Sequence, residues 1–117
     1  ALARRGEFAA AVPEFRAAIE LAPDRAEGHA NLASALSALG QDDEARTEAS
    51  TALALDPGRA EAHNVLGLLE ARRGDLRAAV AHFEAAVRLN PSFAPARRNL
   101  EAARRRTETA PAAAPWP

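Results

Sequence analysis

Gly74 to Pro91 reads GDLRAAVAHFEAAVRLNP, and this stretch decides the fold because the chain carries its pattern three times. Gly40 to Pro57 reads GQDDEARTEASTALALDP, and Gly6 to Pro23 reads GEFAAAVPEFRAAIELAP. The three glycines lie 34 residues apart, and so do the three prolines. A fixed period of this size marks stacked supersecondary units, each packing on its neighbours.

Outward from these stretches, apolar residues recur at helical spacing. Ala1 to Arg5 reads as the last turn of a helix that Gly6 ends, and the chain as a piece of a longer protein. A helix over 8–21 carries Val12, Phe15 and Ile19, with a slight bend expected at Pro13. The second unit opens on Asp24, which with Glu27 forms a capping pair. Its first helix carries Leu32, Leu36 and Leu39. Asp42, Asp43 and Glu44 then place negative charge in the first turn of the next helix, where the dipole favours it. That helix offers Ala45, Ala49, Ala52, Leu53 and Leu55 as apolar contacts. The third unit carries Val65, Leu66 and Leu69 on a helix over 60–73. Its second helix, over 75–89, carries Leu76, Val80, Phe83, Val87 and Leu89. Ser92 caps a last, more polar helix ending near Arg106, with Leu100 as its main large apolar residue. The remaining TETAPAAAPWP has no helical period and three prolines, and reads as an extended tail.

The repeats resemble the tetratricopeptide repeat, a 34-residue helix–turn–helix unit. Leu32-Ala33 and Leu66-Gly67 sit where that family has Leu-Gly. Gly6, Gly40 and Gly74 match its turn, and Ala11, Ala45 and Ala79 its first small residue. Phe15 and Phe83 match its aromatic, Ala18, Ala52 and Ala86 its second small residue, and Pro23, Pro57 and Pro91 its closing proline. The departures are His29 and His63 in the Trp slot, Leu36 and Glu70 in the Tyr slot, and Ala49 in place of Phe. The resemblance implies an all-α solenoid of antiparallel helix pairs, wound as a right-handed superhelix and closed by a capping helix. Its divisions would be a partial repeat over 1–25, repeats over 26–59 and 60–93, a cap over 94–106 and a tail over 107–117.

Composition narrows the function. The net charge of −1 gives no overall field for nucleic acid or an acidic membrane. The fifteen basic residues are all Arg. No Cys is present, so thiolate chemistry is excluded. No apolar run approaches a membrane span and no secretory signal is evident. The compartment stays unassigned, with a cytoplasmic setting the expectation. His29 and His63 occupy equivalent slots one repeat apart, too far to share an ion, and His82 belongs to a second helix, so no metal is expected. The serines show no His/Asp constellation and the glycines are single, so neither an enzyme nor a cofactor is expected.

In the resembled family, first helices line a concave face that binds extended peptides. Here that face offers Glu27, Asn31, Ser34 and Ser37, then Glu61, Asn64, Leu68 and Arg72, then Arg98, Asn99, Ala102 and Arg105. Of these, Glu27, Asn31, Ser34, Asn64, Leu68, Arg72, Arg98, Asn99 and Arg105 are the candidate peptide-binding residues. Asn31 and Asn99 share one repeat slot with Val65 between them, a pattern that resembles an asparagine ladder with a missing rung. Asn amides both donate to and accept from a peptide backbone. The lysines with which some family members clamp C-terminal Glu-Val-Asp peptides are absent, so that preference is not expected.

The expected function is a protein–protein interaction scaffold or docking module. One alternative is a regulatory or targeting segment of a larger enzyme. Another is RNA binding through Arg97, Arg98, Arg104, Arg105 and Arg106; a solvated cap explains these without a ligand, since Glu101 reaches Arg97 and Arg105 at i±4. Self-association is expected through the N-terminal edge, and docking of the tail by Trp116 is a further alternative to a free terminus.

Overall fold

A computed structural model describes residues 2–109 and Trp116 of the chain. Six helices follow one another: α1 (Leu2–Leu21), α2 (Ala26–Ala38), α3 (Asp42–Leu55), α4 (Ala60–Arg72), α5 (Leu76–Leu89) and α6 (Ala94–Thr109). No strand occurs among the described residues.

The helix turns follow from glycine. Gly40 and Gly74 adopt φ of 79° and 89°, the left-handed region that suits a residue without Cβ. At the first turn, Gln41 N–H donates to the Leu36 carbonyl and Gly40 N–H to that of Ser37. Asp75 and Gly74 repeat the pattern onto Glu70 and Ala71. These are Schellman motifs, which satisfy the last carbonyls of α2 and α4. Gly6 behaves differently. The expected break is absent, and α1 runs unbroken through both Gly6 and Pro13. Among the described residues α1 packs on α2 alone, so no second helix holds a turn at Gly6, and helix propagation continues.

The expected caps at the unit openings also differ. Arg25, not Asp24, is the N-cap of α2, and no side chain caps it. The Ser92 hydroxyl donates to Asn90 Oδ1 at 2.9 Å rather than capping α6, which starts at Ala94. Pro23–Asp24 and Pro91–Ser92 form two-residue turns, so each helix starts two residues past the polar residue. Asp75 does cap α5, accepting from Ala78 N–H at 3.1 Å. The acidic run of Asp42, Asp43 and Glu44 lies in the first turn of α3, as expected. At the other end, α6 extends three residues past Arg106, to Thr109.

The helices form two layers. Among the described residues α2 touches α4 and α4 touches α6, whereas α1, α3 and α5 do not touch one another. A close inner layer and a splayed outer layer curve the stack, so α2, α4 and α6 line its concave face. The chain is an all-α solenoid of helix pairs, 46 × 31 × 24 Å overall.

Alanine makes the close approach: Ala33, Ala45, Ala49, Ala52, Ala79, Ala86, Ala96 and Ala103 are all completely buried. Leu32, Leu36, Val65, Leu66 and Leu69 fill the space around the middle unit, with Val12, Phe15, Ile19 and Leu53 packed on them. A second cluster gathers Ala71, Ala79, Phe83, Leu100 and Ala103. Leu55 and Leu89, expected as apolar contacts, are instead 43% and 46% exposed, each the last residue of its helix.

Candidate functional site

The concave face is built from three helices in register. On α2, Glu27 is exposed, while Asn31 and Ser34 are half-buried. Glu27 and Asn31 line a cleft of about 350 Å³ with Phe15, Leu21, Arg25 and Gly28.

Further along, the asparagines meet in an order the repeat register hides. Asn99 Nδ2 on α6 donates to Asn64 Oδ1 on α4 at 3.0 Å. Val65, which holds the slot shared by Asn31 and Asn99, turns into the core and is 2% exposed. The amide that meets Asn99 therefore stands one position before that slot, on Asn64. The pair retains an amide donor on Asn64, itself only 8% exposed, and a carbonyl on the half-buried Asn99 without a partner among the described residues, groups of the kind a peptide backbone matches. Arg98, next to Asn99, is exposed and makes no ion pair with the described residues.

Two other candidates have different partners. Arg72 donates to Asp42 Oδ1 at 2.7 Å and to Ser37 Oγ at 3.2 Å. This guanidinium ties α4 to the preceding unit. Arg105 pairs with Glu101 at 3.2 Å and lines a cleft of about 450 Å³ with Val87, Arg97, Leu100, Arg104 and Glu108. That cleft lies between α5 and α6, apart from the asparagine pair. Leu68 is half-buried and packs on the Phe83 cluster.

The histidines also pair across helices. His29 Nδ1 meets Glu48 Oε1 at 2.7 Å, and Nε2 meets the Pro23 carbonyl at 2.8 Å. Burial pulls the His29 pKa down, but the Glu48 bond, the Pro23 carbonyl and the Glu48 charge outweigh it and leave the pKa raised. The imidazolium then donates from both nitrogens. One repeat on, His82 occupies the place of Glu48, and His63 Nδ1 lies 3.3 Å from His82 Nδ1. Both pKa values are lowered. Burial dominates for each, joined at His63 by the His82 and Arg88 charges. Among the described residues no group of three or more His, Asp or Glu is arranged for a metal ion.

The C-terminal arginines are dispersed. Arg104 pairs with Glu84 at 2.8 Å, and Arg105 with Glu101. The Arg106 guanidinium lies 5.5 Å from the centre of the Trp116 indole, which itself stacks on Phe83 at 6.1 Å.

Paired helices in two layers, with a groove formed by every second helix, define a helical-repeat solenoid. The chain belongs to the tetratricopeptide repeat family: that family's pattern matches residues 2–69, and a second pattern of the same description matches residues 60–93. No curated protein matches the sequence significantly. Among solved structures, the Sgt2 TPR domain from Aspergillus fumigatus is 28% identical, with a TM-score of 0.77, over 90% of this chain and 71% of that one. The first TPR of Spaghetti (RPAP3), bound to the HSP90 peptide SRMEEVD, is 20% identical, with a TM-score of 0.76, over 91% and 84%. The second TPR domain of human RPAP3, in complex with the HSP70 peptide SGPTIEEVD, is 23% identical, with a TM-score of 0.72, over 88% and 86%.

Proposed function

We propose that this chain is a non-catalytic docking module that binds an extended peptide segment of a partner protein along α2, α4 and α6. The observation that carries this reading is the Asn64–Asn99 amide pair on the concave face, with Arg98 beside it. The pair supplies a donor and an acceptor to a peptide backbone, and Arg98 supplies a charge for a carboxylate. Asn31 and Glu27 extend the contact toward α1. Two structural neighbours hold acidic peptides, SRMEEVD and SGPTIEEVD, in complexes of the same fold. The chain has no Lys, and Arg72 is engaged with Asp42, so a two-point carboxylate clamp is disfavoured here. A single acidic side chain in an otherwise neutral extended peptide fits the groove better. Such a module serves equally as a free scaffold or as the targeting segment of a larger enzyme. RNA binding gains no support, since Arg104 and Arg105 face Glu84 and Glu101.

The test is a screen of a random linear peptide library, followed by calorimetry on Asn99→Ala and Arg98→Ala. Each substitution removes one contact of about 0.5–1.5 kcal/mol, so affinity should fall roughly two- to twelvefold without a large change in melting temperature. Peptides that bind both variants as tightly as the parent chain would place the ligand elsewhere.

A further inference from the structure

The two crossings between units differ in chemistry. At the first, Ser37, Asp42 and Arg46 are all polar, and Arg72 and Glu70 of the next unit meet them: Arg72 reaches Ser37 and Asp42, and Arg46 reaches Glu70 at 2.8 Å. Thirty-four residues on, the corresponding positions are Ala71, Leu76 and Val80, with Arg106 and Arg104 in the places of Arg72 and Glu70. Arg106 keeps the place of Arg72, but the groups that Arg72 bonds have become a methyl and an isobutyl. The larger ring of Phe83 stands where the first crossing has Ala49. The second crossing is therefore an apolar slot with a cation at its rim.

Trp116 fits that description. It packs on the cluster of Ala71, Ala79, Phe83, Leu100 and Ala103, alongside Leu76 and Val80. Its ring lies at 24° to Phe83 with centroids 6.1 Å apart, a stacked geometry, while Arg106 sits 5.5 Å from its centre. Aromatic stacking and a cation over an indole each favour Trp above other side chains.

We propose that this slot, formed by Ala71, Leu76, Val80, Phe83, Ala103 and Arg106, is a binding pocket for a tryptophan side chain in a proline-flanked segment. Trp116 of the same chain occupies it, and closes it to an aromatic anchor from another peptide. Attachment to the same chain sustains the contact, because an intramolecular partner is present at a high effective concentration. The pocket stands independently of the asparagine groove, and its readout is separate.

Trp116 is the sole Trp and the chain has no Tyr, so intrinsic fluorescence reports this side chain alone. The reference is a synthetic peptide of residues 110–117. The parent chain should emit to the blue of the free peptide and resist acrylamide quenching. Leu76→Asp places at the start of α5 the residue that Asp42 supplies at the start of α3, where a carboxylate is favoured. Its helicity should therefore persist while its emission moves to that of the free peptide and quenching rises severalfold. Added to Trp116→Ala, the peptide should show a saturable blue shift that is weaker with the parent chain. Parent emission equal to that of the free peptide would overturn the proposal. So would a folded Leu76→Asp variant with unchanged emission, or equal peptide binding to the parent and Trp116→Ala chains. An emission shift that grows with protein concentration would assign the occupant to a second molecule and refute occupancy within the chain.

Discussion

Gly67→Ala tests the packing of the third unit most sharply. A Cβ built on Gly67 lies 2.4 Å from Cε1 of Phe83, 2.6 Å from Cδ1 and 3.0 Å from Cζ. Phe83 is completely buried, between Gly67 and the Trp116 stack, so its ring has no open space to turn into. Overpacking of a filled core costs about 1–3 kcal/mol, and this contact is severe enough for the upper half of that range. Ala in place of Gly in a helix returns about 1 kcal/mol. The net expectation is a loss of roughly 1–2 kcal/mol, or a melting temperature lower by roughly 5–10 °C. Phe83→Ala alone should cost about 3–5 kcal/mol. In that background the clash is gone, and Gly67→Ala should turn stabilising by about 0.5–1 kcal/mol. The double variant recreates the Ala33/Ala49 pair of the middle unit, where both alanines are fully buried. Urea unfolding followed by far-UV circular dichroism on the four chains gives the coupling, expected at about 2–3 kcal/mol. Equal effects of Gly67→Ala in the two backgrounds, or a gain in the parent chain, would refute the reasoning.

Two further perturbations have a definite sign. Gly74→Ala should destabilise by about 1–2 kcal/mol, because φ of 89° is left-handed; Gly6→Ala, in an exposed helix, should stabilise by about 0.5–1 kcal/mol, and thermal melts separate them. For His63 and His82, whose folded pKa values are lowered, the unfolded chain binds more protons as pH falls through the ordinary histidine value of about 6.5, so this unit loses stability on acidification. His29, with a raised pKa, contributes stability that is full below 6.5 and lost as pH rises through its folded pKa. His82→Glu recreates the His29–Glu48 pair and should remove the acid-labile component from a pH series of melting temperatures; an unchanged acid limb would show that the His63–His82 contact carries none of it.

The fold was legible because its signal is periodic. Thirty-four-residue spacing of Gly, Ala and Pro specified the helices, their turns at Gly40 and Gly74, and the layer that faces the groove. Features that depend on which surfaces meet were not legible. Gly6 has the same local sequence role as Gly40, yet only a helix packed on both sides of the turn selects the left-handed conformation. Leu55 and Leu89 fit an apolar stripe but end their helices exposed. Slot matching put Val65 between Asn31 and Asn99, whereas α6 approaches on the side of Asn64. A signal for the histidine pair was present: residues 29 and 48, and residues 63 and 82, have the same separation. The Trp116 site had no such signal, since its walls come from three helices.

What the units share is partnership rather than identity. Ala33 with Ala49 becomes Gly67 with Phe83, where a large ring is matched by the loss of a methyl. His29 with Glu48 becomes His63 with His82, and the hydrogen bond persists with different charge. Both exchanges lie inside one unit, so each unit can vary its interior while presenting the same helix spacing to its neighbours. The Asp42–Arg72 tie is different, because it spans a boundary. Replacing Asp42 and Ser37 by Leu76 and Ala71 while retaining Arg106 leaves the crossing with a cation over an apolar wall. The change reaches both sides of the boundary, since Val80 and Arg104 stand where Arg46 and Glu70 meet at the first crossing. Trp116 packs on that apolar wall with Arg106 beside its ring, so the second crossing differs from the first in chemistry as well as in sequence.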